Sequence, residues 1–140
     1  MNDLITSTSN PKVKEIVQLL TKSRARKQSG LCVVEGAREI QRALATGWIG
    51  VELWSKENAA QAHWMKSFEQ QYIAGSKVFE KIAYRSGTEA HVGLFKQRHW
   101  KLDELGALLS GARGVLVVEG IEKPGNAGAI LRTAQAAGMA

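Results

Sequence analysis

The 140-residue sequence has a single cysteine, Cys32, which excludes an internal disulfide. Cys32 sits in the apolar run Leu31-Cys32-Val33-Val34, where a buried core thiol is expected rather than a nucleophile. No apolar stretch approaches the ~20 residues that a membrane-spanning helix needs. Met1-Asn2-Asp3-Leu4 shows no basic segment leading into an apolar one, so no secretory leader is expected and a reducing cytoplasm is the expected location. The three histidines, His63, His91 and His99, lack the close spacing of metal ligands, and no metal site is expected. Internal repeats and low-complexity segments are absent as well.

What is present is ordinary in bulk and basic in charge. Hydrophobic residues make up 44% and charged residues 23%, a balance typical of a soluble globular chain long enough to bury a core. The formal net charge is +6. A positive excess favours polyanionic partners, because Lys and Arg near phosphates release condensed counterions.

Along the chain, Asn10-Pro11 predicts a helix start: Asn caps free backbone N–H groups, and Pro at the first helical position needs no donor. Val13, Ile16, Val17 and Leu20 follow at i, i+3, i+4 and i+7, one apolar stripe. Residues 23–30 read as a basic loop. Leu31 to Glu35 reads as a strand, Ala37 to Thr46 as a helix ended by Gly47, and Ile49 to Trp54 as a second strand. Glu57 to Tyr72 reads as a helix with Ala60, Trp64 and Phe68 on one side. Ser76 to Tyr84 reads as a short helix and His91 to Phe95 as a strand. This alternation predicts an α/β fold, a three-layer sandwich. Lys101 to Leu109 is helical or linker-like. Residues 110–114 are rich in turn formers and mark a domain boundary. Val115 to Val118 has the continuous apolar character of a strand buried on both faces of a parallel sheet. A loop from Glu119 to Gly125 then leads into a helix from about Asn126 to Ala137, with Gly138 able to cap it.

The most informative stretch runs from Val118 to Ala134, through Glu119-Gly120-Ile121, Pro124-Gly125-Asn126-Ala127-Gly128-Ala129-Ile130 and Arg132-Thr133. It is a strand, a glycine-rich turn and a helix. Gly125 and Gly128 permit close approach of a ligand or of another backbone. The helix start offers N–H groups to an anion, and Arg132 has the planar fork that suits phosphate. Gly128 is followed by Ala129 and Ile130, so this is no Walker phosphate loop, and the Gly-x-Gly-x-x-Gly dinucleotide fingerprint is also missing. The residues by themselves leave two readings open, an anion site or a tight turn without a ligand.

This stretch resembles motif 1 of the SpoU (TrmH-like) branch of the knotted SPOUT RNA 2'-O-ribose methyltransferases. The resemblance implies that Asn126 and Arg132 belong to a catalytic site, with Arg132 activating the ribose 2'-hydroxyl or binding the nearby phosphate and Asn126 orienting the site. It also implies S-adenosylmethionine as methyl donor. A second resemblance starts at Ile5-Thr6-Ser7 and Asn10-Pro11-Lys12-Val13-Lys14 and continues through Arg26 to Val33-Val34-Glu35-Gly36 and Arg38. It is similar to that family's N-terminal substrate-binding domain, of the L30e/L7Ae type. The implied layout is an RNA-binding domain over residues 1–109, then the first strand and helix of a methyltransferase domain over residues 114–140. Under this resemblance Lys12, Lys14, Arg24, Arg26, Lys27 and Arg38 are the candidate RNA contacts. Glu35 either accepts a hydrogen bond from Arg38 or contacts RNA. Trp54 and Trp64 are expected in the core and Trp48 is the tryptophan expected to be exposed for stacking.

The family's two further motifs, a Gly-x-Glu-Gly-type segment and one carrying Ser-Leu-Asn, do not occur in this sequence. The expectation is therefore an incomplete chain without a cofactor pocket, inactive on its own, and the family's homodimer is left open. Three functions compete: an RNA 2'-O-methyltransferase acting on rRNA in preference to tRNA, a non-catalytic L7Ae-like RNA-binding module, and a small-ligand enzyme of another α/β class.

Overall fold

The structure is a computed structural model that describes residues 3–84, 89–111 and 113–139. The chain divides into two compact units, Met1–Arg98 and His99–Ala140. The division falls ahead of the last two helices rather than at the turn-rich stretch 110–114, part of which lies outside the described residues.

The first unit is built on five strands: β1 (Asp3–Ile5), β2 (Leu31–Glu35), β3 (Gly50–Lys56), β4 (Gln70–Ala74) and β5 (His91–Lys96). They form one sheet in the order β1-β4-β3-β5-β2. β1 and β3 flank β4 in parallel, whereas β5 runs antiparallel to both β3 and β2. Side chains alternate across such a sheet. On one face Trp54, Val92, Leu94 and Ala74 pack beneath α1 (Pro11–Thr21) and α4 (Ser76–Ile82), through Val13, Ile16, Leu19, Val78, Phe79 and Ile82. On the other, Leu53 and Phe95 pack against Ile40 of α3 (Ala37–Ala45) together with Met65 and Phe68. The unit is therefore a mixed sheet between two helical layers, as expected, and Val33, Val34, Val51 and Leu53 stand in it.

α1 starts as its sequence predicts: the Asn10 side chain accepts the Lys12 backbone N–H at 2.9 Å, with Pro11 at the first helical position. The buried stripe is rotated, however. Leu19 is fully inside with Val13 and Ile16, while Val17 and Leu20 lie at its flank.

Three readings need correction, and one strand is not read from the sequence at all. Residues 23–29 are a helix, α2, and not a basic loop. Arg24 through Gln28 are all good helix formers, and Gly30 ends the helix in the left-handed region at φ 67°. Residues 57–72 are not a helix. The Ala60, Trp64, Phe68 spacing imitates a helical face, yet a short 3-10 turn over His63–Ser67 drops Met65 and Phe68 into the second core, and β4 follows. Three-residue β1 has too little length to show in the sequence. Finally, Val115–Val118 forms no strand, because no described strand pairs with it; Val117 is 86% exposed.

Two glycines let Phe68 lie close on the sheet. A Cβ on Gly50 would stand 2.7 Å from the Phe68 ring, and one on Gly93 would stand 2.8 Å from Phe95 and 3.2 Å from Phe68.

The second unit contains α5 (Leu102–Leu108) and α6 (Pro124–Ala136). No helix among the described residues is long and apolar enough to cross a membrane.

Candidate functional site

Charge is distributed unevenly. Residues 11–30, which make up α1 and α2, hold six of the nineteen Lys and Arg residues and one of the thirteen acids. This stretch thus carries +5 of the net +6.

Within it the cations divide into two sets. Lys12 is engaged: its Nζ bonds Glu52 Oε1 at 2.6 Å and lies 5.0 Å from the centre of the Tyr72 ring. Glu52 also accepts the Trp54 indole N–H at 3.1 Å. The hydrogen bond to Glu52 pushes the Lys12 pKa up, against the opposing effect of burial. Arg26 is engaged too. Its guanidinium donates to the Leu19 carbonyl at 2.7 Å and satisfies the otherwise open C-terminal end of α1. These two expected RNA contacts thus also serve as ties within the fold. By contrast, the side chains of Lys14, Arg24 and Lys27 are exposed and make no hydrogen bond or ion pair among the described residues.

Arg38 stands apart from both sets. It is on α3, in the opposite helical layer, and pairs with its neighbour Glu39 at 2.8 Å. That carboxylate raises the Arg38 pKa, and Arg38 in turn lowers that of Glu39. Glu35 accepts the Tyr84 backbone N–H at 2.7 Å, which gives it a structural role. Arg38, Glu35, Glu39, Glu89 and Tyr84 border a mixed-charge cavity of about 450 Å³. Trp48, expected to be exposed, is half-buried edge-on to Phe95 at 6.4 Å. Trp54 and Trp64 do pack on the two cores.

In the second unit, Pro124 occupies the first position of α6 and places Asn126 in its first turn. Gly120 turns the chain at φ 69° ahead of the helix. Gly120, Ile121, Glu122, Lys123, Asn126 and Ile130 line an open cavity of about 330 Å³. Helical side chains lean toward the N-terminus, and Arg132 follows this rule. A Cβ built on Gly128 would lie 3.3 Å from its Nη1. The missing side chain at Gly128 thus lets the guanidinium run back toward the end of the helix that carries Asn126. An exposed guanidinium on the same helix as an amide in its first turn is suited to hold an oxyanion such as a phosphate.

Sequence reasoning missed a buried pair. Ser55 Oγ and His91 Nδ1 lie 2.9 Å apart on adjacent strands, with the Trp64 ring edge-on to the imidazole at 5.3 Å. Burial lowers the His91 pKa. Thirty-six residues separate the two, so only the β3–β5 register could have revealed them. Burial also raises the Cys32 pKa, consistent with an unreactive thiol. Among the described residues no group of His, Cys, Asp and Glu is placed to hold a metal ion.

Fold and charge together define an α/β domain with a basic helical pair, followed by a glycine turn and a helix. The family model described as the MRM3-like substrate binding domain matches residues 10–93, and the chain belongs to that family. A Synechocystis protein named as an uncharacterized tRNA/rRNA methyltransferase is 33% identical over 96% of this chain and 50% of its own length. The Bacillus subtilis 23S rRNA (guanosine(2553)-2'-O)-methyltransferase is 28% identical, over 96% of this chain and 51% of its own. The crystal structure of an AdoMet-bound rRNA methyltransferase from Sinorhizobium meliloti superposes with a TM-score of 0.75 at 28% identity, covering 98% of this chain and 52% of that one. The resemblance read from the motifs therefore holds, and the chain spans about half the length of the curated relatives it matches.

Proposed function

We propose that this chain is the RNA-binding portion, with motif 1, of an RNA 2'-O-ribose methyltransferase that transfers a methyl group from S-adenosylmethionine to a ribose 2'-hydroxyl of rRNA or tRNA. The observation that carries the reading is the co-occurrence in one chain of the family match over 10–93 and the motif turn at 119–134. Residues 1–109 would be an L7Ae-like RNA-binding domain, and residues 114–140 would open the methyltransferase domain. Ribosomal RNA is the favoured substrate and the cytoplasm the setting. The unengaged cations Lys14, Arg24 and Lys27 would meet the RNA backbone, with Arg38 as a separate contact. Asn126 and Arg132 would be catalytic, Arg132 holding a ribose-linked phosphate or activating the hydroxyl.

The described residues do not fit S-adenosylmethionine by themselves. The turn offers an open polar cavity, and α6 borders an apolar groove of about 340 Å³ past Leu116, Ala129 and Ala134. Neither encloses adenine and a methionyl chain, as cofactor sites do.

The test joins this chain, after Ala140, to the C-terminal half of the Bacillus subtilis relative and follows radiolabelled methyl transfer to rRNA. Transfer is expected from the chimera, and Arg132→Ala should cut turnover by at least about tenfold with little change in cofactor affinity. Undiminished turnover in that variant would remove Arg132 from the chemistry.

A further inference from the structure

α1 and α2 leave a crevice of about 310 Å³ between them, lined by Glu15, Gln18, Leu19, Ala25, Gln28 and Ser29. Its apolar components are Leu19, which is buried, and Ala25, which is half-buried. Ser29 is engaged with the backbone of Ala25 and Leu31. The Gln18 and Gln28 amides and the Glu15 carboxylate are not: they make no side-chain hydrogen bond or ion pair among the described residues. The two helices repeat one arrangement. Lys14 precedes Gln18 by four residues on α1, and Arg24 precedes Gln28 by four on α2. Residues four apart share a helix face, so each amide has an unengaged cation one turn away.

This combination differs from a plain basic patch. Cations hold phosphates without reading sequence, whereas amides and carboxylates read base edges. Bases of single-stranded RNA can be splayed out and read on their Watson–Crick edges. An ionised carboxylate only accepts hydrogen bonds, so Glu15 favours a base that offers an exocyclic amine. Uracil offers none, and its one N–H donor is flanked by carbonyl oxygens that repel a carboxylate.

We propose that the α1–α2 crevice binds an unpaired, amine-bearing base of RNA, with Glu15, Gln18 and Gln28 reading its edge while Lys14, Arg24 and Lys27 hold the adjoining phosphates. The proposal rests on the RNA-binding reading and adds a base preference to it.

The experiment measures binding of the 140-residue chain to oligo(A), oligo(C) and oligo(U) of equal length at several salt concentrations. Oligo(A) and oligo(C) should bind at least about fivefold more tightly than oligo(U), the low end for one good base-edge pair. Glu15→Gln and the double variant Gln18→Ala/Gln28→Ala should bring that ratio close to one and leave the salt slope unchanged. Equal binding of all three oligomers, or a preference that survives both variants, would overturn the crevice while leaving RNA binding standing. Failure to bind any of them would overturn both.

Discussion

The two units of this chain handle apolar surface in opposite ways. Fifteen of the sixteen buried hydrophobic residues among those described lie in the first unit, in two clusters on either side of one sheet. The second unit contributes only Ala134, while Val115, Val117, Leu131 and Met139 face solvent. Both sequences are rich in apolar residues. What differs is pairing: β3 and β5 each have neighbours on both sides and helices above and below, whereas Val115–Val118 has no described strand beside it. An apolar run becomes a strand only when its backbone N–H and C=O groups find partners. Stability therefore belongs to the first unit, and the chemistry proposed for Asn126 and Arg132 sits on the second.

The sharpest way to break this comparison is to truncate one large side chain in each unit. Trp54 is fully buried against Tyr72 at 4.7 Å between ring centres. Trp54→Ala should cost about 3–5 kcal/mol. Leu131 is 65% exposed, and Leu131→Ala should stay within about 0.5 kcal/mol, as surface changes do. Urea denaturation followed by circular dichroism measures both. Equal losses would mean that Leu131 is packed as tightly as Trp54.

The buried Ser55–His91 pair sharpens the comparison through pH. Burial holds the folded His91 pKa below its ordinary 6.5, so between these two values the unfolded chain binds more protons than the folded one. The stability from this group is complete above about pH 6.5 and is lost as pH falls below it. Denaturation midpoints should fall between pH 7.5 and 5.5, and His91→Gln should flatten the decline. Ser55→Ala leaves the imidazole without its hydroxyl partner and should cost about 1–3 kcal/mol at neutral pH. A decline that persists unchanged in His91→Gln would assign the effect to other groups.

Local signals were legible in the sequence where the structure obeys local rules. Asn10-Pro11 starts α1, Gly47 follows α3, and strands form at 31–35 and from His91 as read from the sequence. The failures share a cause. The 57–72 stretch has helical spacing, but its Trp64 and Phe68 answer to His91 and Phe95 on the sheet, contacts that no local pattern encodes. The candidate site shows the same division. Asn126 and Arg132 stand on one helix, and the motif named them. Which cations are available is set by Glu52, forty residues from Lys12, and by the end of α1, seven residues from Arg26.

That division of cations makes the prediction with the smallest effect on stability. Lys14, Arg24 and Lys27 touch no partner among the described residues, so replacing all three by Ala should change the unfolding free energy by no more than about 0.5 kcal/mol per site. If they neutralise phosphates, the same triple variant should flatten the plot of log affinity against log salt by about two units, since each contact to single-stranded nucleic acid contributes about 0.7. Arg26→Met should behave in the reverse manner. It removes the guanidinium that satisfies the Leu19 carbonyl, so stability should drop by about 1–3 kcal/mol while the salt slope keeps its value. Arg24, Lys27 and Arg26 lie on the same short helix and differ in whether the side chain is already engaged, while Lys14 adds an unengaged cation from α1. A slope that falls equally in both would show that Arg26 leaves its carbonyl to meet RNA, and the line between structural and RNA-facing cations would then have to be redrawn around α2 as a whole.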